Sequence, residues 1–229
     1  TYTISYNLAD GSIDGSNPTS YTIESDDITL INPTKQGYTF KGWSGTGLTG
    51  DENKTVTIAK GSTGNKEYTA NYTANTGTKY TVKHYIQKLD ETYELKETEE
   101  LYGTTGTEVT PNTKTYEGFT APSKQTITIK ADGTSLVEYN YSRNSYTVTV
   151  TAGKGISSTT GSGTYKYEES VTIGAQLATG YKDITYTGDK TVTTFTMPSK
   201  NVNITASATP ITYTISYNLA DGSIDGSNP

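Results

Sequence analysis

Along this chain, apolar and polar positions trade places at short range. Tyr146-Thr-Val-Thr-Val150 and Gln125-Thr-Ile-Thr-Ile129 both run at period two, which puts every second side chain on one face and reads as a half-buried strand. Clusters rich in Gly, Asn, Asp and Ser punctuate such stretches: ADGSIDGSNP (9–18), GSTGN (61–65), KADG (130–133) and GKGIS (153–157). These are turn signals, and they predict many short strands. A turn of helix is expected at most at Asp26–Asn32 or Thr107–Thr113, where Pro33 and Pro111 limit its length.

The pattern repeats. Residues 212–229 (TYTISYNLADGSIDGSNP) copy residues 1–18 without a change, at an offset of 211. Chance does not give such a run, and a tandem duplication explains it. Within the 211-residue unit, TYTISYNL (1–8), KYTVKHYI (79–86) and SYTVTVTA (145–152) share a Tyr-Thr-β-branched opening. The openings at Tyr2, Tyr80, Tyr146 and Tyr213 are spaced by 78, 66 and 67 residues. Each of the first three is followed 34 to 38 residues later by a Gly-aromatic pair: Gly37-Tyr38, Gly118-Phe119 and Gly180-Tyr181. Each segment closes on a strand-like stretch, EYTANY (67–72), LVEYNY (136–141) and NVNITASA (201–208). The domain reading is therefore 1–74, 79–143 and 145–210, with about five strands in each, followed at 212–229 by the start of the next copy of the first.

Composition narrows the possibilities. Leu, Ile, Val and Phe make only about 16% of the chain, but there are 20 Tyr, and threonine is roughly a fifth of all residues. Tyrosine rings must then do much of the burying, and strand formers far outnumber helix formers. There is no cysteine and a single histidine, which excludes disulfides, Cys-held zinc, iron–sulfur clusters and thiol catalysis. A net charge of −6 opposes nucleic-acid binding, which needs a basic stripe. No apolar run approaches the length of a membrane-spanning segment. No constellation for catalysis is found, so a non-enzymatic role without cofactor or metal is expected.

The first segment, with YTISYNLADG, NPTKQGYTFKGWSGTG and YTANY, resembles the internalin B-repeat, or Listeria–Bacteroides repeat, family. Its most specific element is Gly37-Tyr38-Thr39-Phe40-Lys41-Gly42-Trp43. The second, opening YTVKHYIQKLDETYEL (80–95), is similar to mucin-binding-protein-type (MucBP-like) repeats. The third, with SYTVTVTAGKGISSTTGSGTYKYEESVTI (145–173) and FTMPSKNVNITA (195–206), looks like a divergent bacterial surface repeat, and it lacks a Gly-Trp pair after Gly180-Tyr181. These resemblances imply a mainly β fold, a tandem array of small β-grasp-like modules with at most a short helix each. They also imply placement in large extracellular proteins of the bacterial cell surface or cell wall, in Gram-positive and some other gut bacteria.

Five residues stand out as a structural motif: Gly37, Tyr38, Phe40, Gly42 and Trp43. Alternation puts Tyr38, Phe40 and Gly42 on one strand face and Trp43 on the other. Gly42 lets a backbone or ring approach closely, and Trp43, the one tryptophan, reads as a core plug.

Other features read more simply. Gly45-Thr46-Gly47-Leu48-Thr49-Gly50 spells GxGxxG, but no helix pattern follows it, so it is a hairpin loop rather than a dinucleotide site. His84 shares a strand face with Tyr80, Val82 and Ile86 and reads as a packed or edge histidine, with no Cys or second His to join it as a metal ligand. Asp10, Asp14, Asp26, Asp27, Asp51 and Glu52 crowd turns; such loops attract calcium, yet the EF-hand spacing is missing. Glu97, Glu99 and Glu100 are expected to form a solvated ladder facing Lys83 and Lys88. Lys83 and Asn140 are the one pair placed for a Lys–Asn isopeptide link, although Lys83 lies opposite Val82 and His84.

The expected function is structural: a segment of a long extracellular repeat protein forming a stalk or fibre. The alternative is an adhesin module that recognises host or microbial glycans or proteins. Expected partners are adjacent repeats of the same chain and other copies in a fibre. Residues 212–229, a quarter of a module, are expected to pair with the third segment or with another chain, or to be a window on a continuous fibre, rather than stand in solvent.

Overall fold

The computed structural model describes residues 1–223, 225 and 226. Every regular element is a strand, and no helix forms among the described residues. In residues 1–74 these are β1 (Tyr2–Asn7), β2 (Ser20–Tyr21), β3 (Ile28–Thr29), β4 (Tyr38–Gly45), β5 (Thr57–Ile58) and β6 (Lys66–Ala74). The middle segment has β7 (Thr78–Gln87), β8 (Tyr93–Gly103), β9 (Glu108–Val109), β10 (Phe119–Thr120), β11 (Ile127–Thr128) and β12 (Ser135–Arg143). The third has β13 (Ser145–Ala152), β14 (Ile156–Thr160), β15 (Gly163–Lys166), β16 (Ser170–Thr172), β17 (Gly174–Leu177), β18 (Tyr181–Gly188), β19 (Thr194–Thr196) and β20 (Val202–Pro210).

One plan serves all three. The four-stranded sheets run β2-β1-β6-β4, β8-β7-β12-β10 and β15-β13-β20-β18. In each, the opening and closing strands lie side by side and parallel at the centre, with Tyr6 opposite Tyr68, Val82 opposite Val137 and Val150 opposite Ile204. This order is compatible with a β-grasp-like plan. Parallel neighbours need a long crossover, which is usually a helix. Here each crossover carries a two-stranded ladder instead: β3 with β5, β9 with β11, and β16 with β19.

Those ladders explain why the anticipated helical turns are absent. Ile28–Thr29 and Glu108–Val109 fall inside the two stretches proposed as helical, and both are strands. β-branched residues favour the extended chain. Ile28 faces Ile58 and Val109 faces Ile127 across the short ladders, so tertiary pairing agrees with that preference.

The cores form between sheet and ladder. In the first segment Ile4, Tyr21, Leu30, Trp43, Val56, Ile58, Tyr68 and Ala70 make one cluster. In the third, Val148, Val150, Val171, Ile173, Phe195, Met197, Val202 and Ile204 do the same. The middle sheet buries Tyr80, Val82, His84, Val137, Tyr139 and Tyr141. Buried tyrosines keep their hydroxyls satisfied: Tyr21 donates to Gly64 C=O at 2.6 Å and Tyr139 to Pro111 C=O at 2.7 Å. Rings therefore replace missing aliphatics at no cost in unpaired polar groups.

By proximity the chain divides into two compact units. One comprises Thr1–Ile86, Tyr93–Lys114 and Ala121–Tyr141; the other comprises Gln87–Thr92, Thr115–Thr120 and Ser142–Pro229. The division thus passes through the middle segment.

Among the described residues the tail does not pair with the third segment, which corrects that part of the expectation. Residues 212–223, 225 and 226 form no strand, and Tyr213, Ile215, Tyr217 and Leu219 are exposed. Their hydrogen bonds are local, Ala220 N–H to Asn218 and Gly222 N–H to Leu219. Residues 224 and 227–229 lie outside the described residues.

Candidate functional site

The Gly-aromatic motif opens β4, and a β-bulge shapes it. Register shifts between Phe40 and Gly42, so Lys41 is an extra residue and the side-chain alternation slips by one. Trp43 consequently lies on the same side as Phe40, not opposite: their rings meet edge to face with centroids 5.7 Å apart. Trp43 is fully buried among Tyr6, Phe40 and Tyr68. Its indole N–H donates to Asn32 Oδ1 at 2.9 Å, its backbone N–H donates to Asn53 C=O at 2.8 Å, and its C=O accepts from Asn53 Nδ2 at 2.9 Å. Gly42 has φ of 154°, and a Cβ there would run into the Glu52–Asn53 backbone. The glycine is what allows the second hairpin arm to lie against the tryptophan.

Gly37 and Tyr38 do something different. Gly37 immediately precedes β4, Gly118 precedes β10 and Gly180 precedes β18, all with positive φ (76°, 77° and 85°). In each segment the residue just after the closing strand donates its N–H to that glycine's carbonyl. The bonds are Asn75 to Gly37 at 3.0 Å, Asn144 to Gly118 at 2.9 Å and Ile211 to Gly180 at 2.8 Å. The first two linkers then accept from the following segment, Thr105 N–H to Asn75 C=O at 2.9 Å and Tyr167 N–H to Asn144 C=O at 2.8 Å. Side chains reinforce both. Thr39 Oγ1 donates to Asn75 Oδ1 at 2.8 Å, and Thr120 Oγ1 to Asn144 Oδ1 at 2.6 Å.

The glycines sit where the next segment arrives. A Cβ on Gly37 would press on Ala131 and Thr105, and one on Gly118 on the Tyr167 ring. The aromatic partner completes the contact. Tyr38 approaches Gly106, and Phe119 meets Tyr167 edge to face at 5.9 Å. Arg143, almost buried, lies 4.8 Å from the Phe119 ring centre and donates to Gln87 C=O, Tyr167 C=O and the Glu168 carboxylate. Around it, Lys166 pairs with Glu91 at 2.9 Å and Ser199 donates to Glu117 at 2.6 Å. Asn75 and Asn144 were not singled out by sequence. Their shared place, one residue past the closing strand, was the available signal.

His84 is wholly buried, with Nδ1 2.9 Å from Tyr141 Oη and Nε2 2.8 Å from Glu99 Oε2. A carboxylate only accepts, so Nε2 carries a proton. Lys114 closes the network with Nζ 2.9 Å from Glu97 and 3.0 Å from Glu99, and its backbone N–H donates to Tyr141 Oη at 2.7 Å. Burial pushes the Glu99 carboxyl up, but the hydrogen bonds from His84 and Lys114 and the lysine's charge outweigh it and hold it below the usual carboxylate range. Hydrogen bonds to Glu97 and Glu99 raise Lys114 in turn. The expected ladder partners are therefore corrected: Glu97 and Glu99 meet Lys114, and Glu100 meets Lys79 at 2.9 Å, while Lys88 pairs with Asp90. Lys114 precedes Gly118 in a loop, where strand periodicity says nothing.

Of the acids that crowd the first segment's turns, all but Asp14 lie near lysines or bond to backbone. Lys41 meets Asp51 at 2.9 Å and Glu52 at 3.6 Å, Lys60 meets Asp26 at 3.1 Å, and Asp27 accepts from Lys60 N–H at 2.8 Å. Asp10 lies 3.8 Å from Lys35, and Asp14 is exposed. Among the described residues no three His, Cys, Asp or Glu side chains are placed to share a metal ion. Gly45–Gly50 is a loop in which Thr46 bonds back to Glu67, N–H to C=O at 2.9 Å and Oγ1 from N–H at 3.0 Å. Asn140 is opposite Tyr85, and Lys83 opposite Glu138. No helix among the described residues is long and apolar enough to cross a membrane.

Comparison with known proteins finds two repeat families along the chain. No curated protein matches the chain. A solved structure, the Bacillus anthracis TIE protein, aligns with 80% of this chain and 41% of its own length, at 9% identity and a TM-score of 0.41. The chain thus spans about two fifths of that protein. Over residues 2–67 the chain is similar to the Listeria-Bacteroides repeat domain, and over residues 146–212 to the divergent InlB B-repeat domain.

Proposed function

We propose that this chain is a structural, non-catalytic segment of a long extracellular repeat protein, forming a stalk or fibre at the bacterial cell surface or cell wall. One observation carries the reading: the same Gly–linker–next-segment hydrogen-bond relay occurs at two successive boundaries. A protein that extends by adding copies needs such a reusable joint, since each neighbour contributes interface stability to the next. The matched repeat families and the unchanged copy of residues 1–18 at 212–229 support it. Residues 79–143 enter as a MucBP-like repeat of the same array. Solution scattering on chains of one, two and three 211-residue copies tests the proposal. The maximum dimension is expected to grow by a constant increment per copy, and a dimension that rises only with the cube root of mass overturns it.

The adhesin reading has one specific observation of its own. β8 is the outer strand of the middle sheet and exposes Tyr93, Leu95 and Tyr102. Aromatic and apolar side chains on an edge suit glycan or host-protein recognition. Titration of the whole chain against mucin glycans and a glycan array decides the matter, because saturable binding removed by Tyr102→Ala replaces the spacer reading.

A further inference from the structure

The third Gly-aromatic turn has half of a joint. Ile211 N–H donates to Gly180 C=O as in the two completed boundaries. Among the described residues, however, no donor reaches Ile211 C=O. A Cβ built on Gly180 meets nothing within 4 Å, in contrast to Gly37 and Gly118. The complementary half is found at the start of the chain. In the completed joints the donor lies just past the strand that flanks the opening strand, Thr105 after β8 and Tyr167 after β15. The corresponding residue in the first segment is Ile23, two past the end of β2. Ile23 is 55% exposed, and its N–H has no acceptor among the described residues.

The geometry points to a third joint, in which the Gly180–Tyr181–Ile211 end of one 211-residue unit receives the Ile23 turn of the next copy of the first segment. The inference rests on the tandem-repeat reading and names its contact. Ile23 N–H of the incoming copy donates to Ile211 C=O, and its side chain covers Gly180 and Ile211. The occupant is fixed by the chain itself, because residues 212–229 already spell the opening of that segment. This joint differs chemically from the others. Lys182 stands where Thr39 and Thr120 stand, and Ile211 where Asn75 and Asn144 stand, so the threonine–asparagine clip is replaced by an aliphatic contact. An exposed Ile in a turn and an Ile in a linker are both unfavourable in water, and the joint removes both from it.

A chain with two consecutive 211-residue units carries its own control, since it contains one Ile23 without a preceding unit and one with it. Amide hydrogen exchange followed by NMR is expected to be at least about tenfold slower at the second Ile23 than at the first. Equal rates at both amides overturn the joint. They leave the spacer reading standing, because tethered copies still lengthen the array in scattering. Ile23→Lys in the second copy alone is expected to return that amide to the first copy's rate. Gly180→Asn, compared in the one-unit and two-unit chains, guards against a folding defect: asparagine tolerates positive φ, so a larger loss of protection at the second Ile23 than of stability in the one-unit chain supports the contact. An identical small effect in both chains speaks against it.

Discussion

The first and middle sheets share strand order, central parallel pairing and crossover ladder, yet fill their centres with opposite chemistry. The first is plugged by Trp43, ringed by Tyr6, Phe40 and Tyr68 and tied by one indole bond to Asn32. The middle is built around His84, held by Tyr141 and by a Glu99–Lys114 pair. The fold specifies where strands lie, then, and leaves open whether the space between sheet and ladder is filled by aromatic surface or by a satisfied polar network. What the two share is completeness: among the described residues, no buried side-chain polar atom is without a partner. Leaving one unpaired in either centre is costly.

The largest effect should come from the aromatic centre. Trp43→Ala empties the first core and removes the indole bond to Asn32, and is expected to cost about 3–5 kcal/mol in urea unfolding followed by circular dichroism. Next is His84→Ala, which leaves Glu99 and Tyr141 facing a cavity; about 3 kcal/mol is expected. If Trp43→Ala and His84→Ala turn out equal within error, polar and aromatic centres are energetically interchangeable here. A His84 effect under about 0.5 kcal/mol would mean that its network is decorative.

Acid titration separates the two centres further. Glu99 has a folded pKa below its unfolded value, so its contribution is present above the ordinary carboxylate range. It is lost as pH falls through the depressed value. Melting of the middle sheet, read from His84 and Tyr141 NMR signals, should precede that of the Trp43 core on acidification, and Glu99→Gln should flatten the acid limb. Gly42→Ala follows in size at about 2 kcal/mol, since a Cβ meets the Glu52–Asn53 backbone and φ is unsuited to alanine. Because that strain is local to the first hairpin, the exchange rates of β7 and β12 amides should stay unchanged.

These contrasts also mark what could be read from the chain. Period-two stretches such as Tyr146–Val150 and Gln125–Ile129 became strands or strand neighbours because each carries its own face. The parallel pairing of Tyr80 with Ser135, or of Val148 with Val202, was not legible, since register across more than fifty residues leaves no local trace. Alternation put Trp43 on the wrong face because a bulge at Lys41 is one residue without a hydrophobic signature. Glycine spacing flagged Gly37, Gly118 and Gly180 but not their use, which became visible only with Asn75, Thr105 and Tyr167 around them. Lys114 was missed for the same reason: its partners are 15 and 17 residues away, on another strand.

The smallest expected effect tests whether two joints are one device. Thr39→Val and Thr120→Val each remove an exposed hydroxyl-to-asparagine bond and keep the side-chain shape, so each should cost about 0.5–1 kcal/mol. Coupling decides between a shared mechanism and a coincidence of spacing. In double-mutant cycles, Thr39→Val with Asn75→Ala and Thr120→Val with Asn144→Ala should show interaction energies of like size, at least about 0.5 kcal/mol. The backbone relay, Asn75 N–H to Gly37 and Asn144 N–H to Gly118, survives all four substitutions. A coupling at only one boundary would then mean that the clip belongs to that neighbour pair rather than to the repeat. Lys182→Thr serves as the built-in negative, because with Ile211 in place of asparagine a hydroxyl there has no amide oxygen to reach, and stability should not rise.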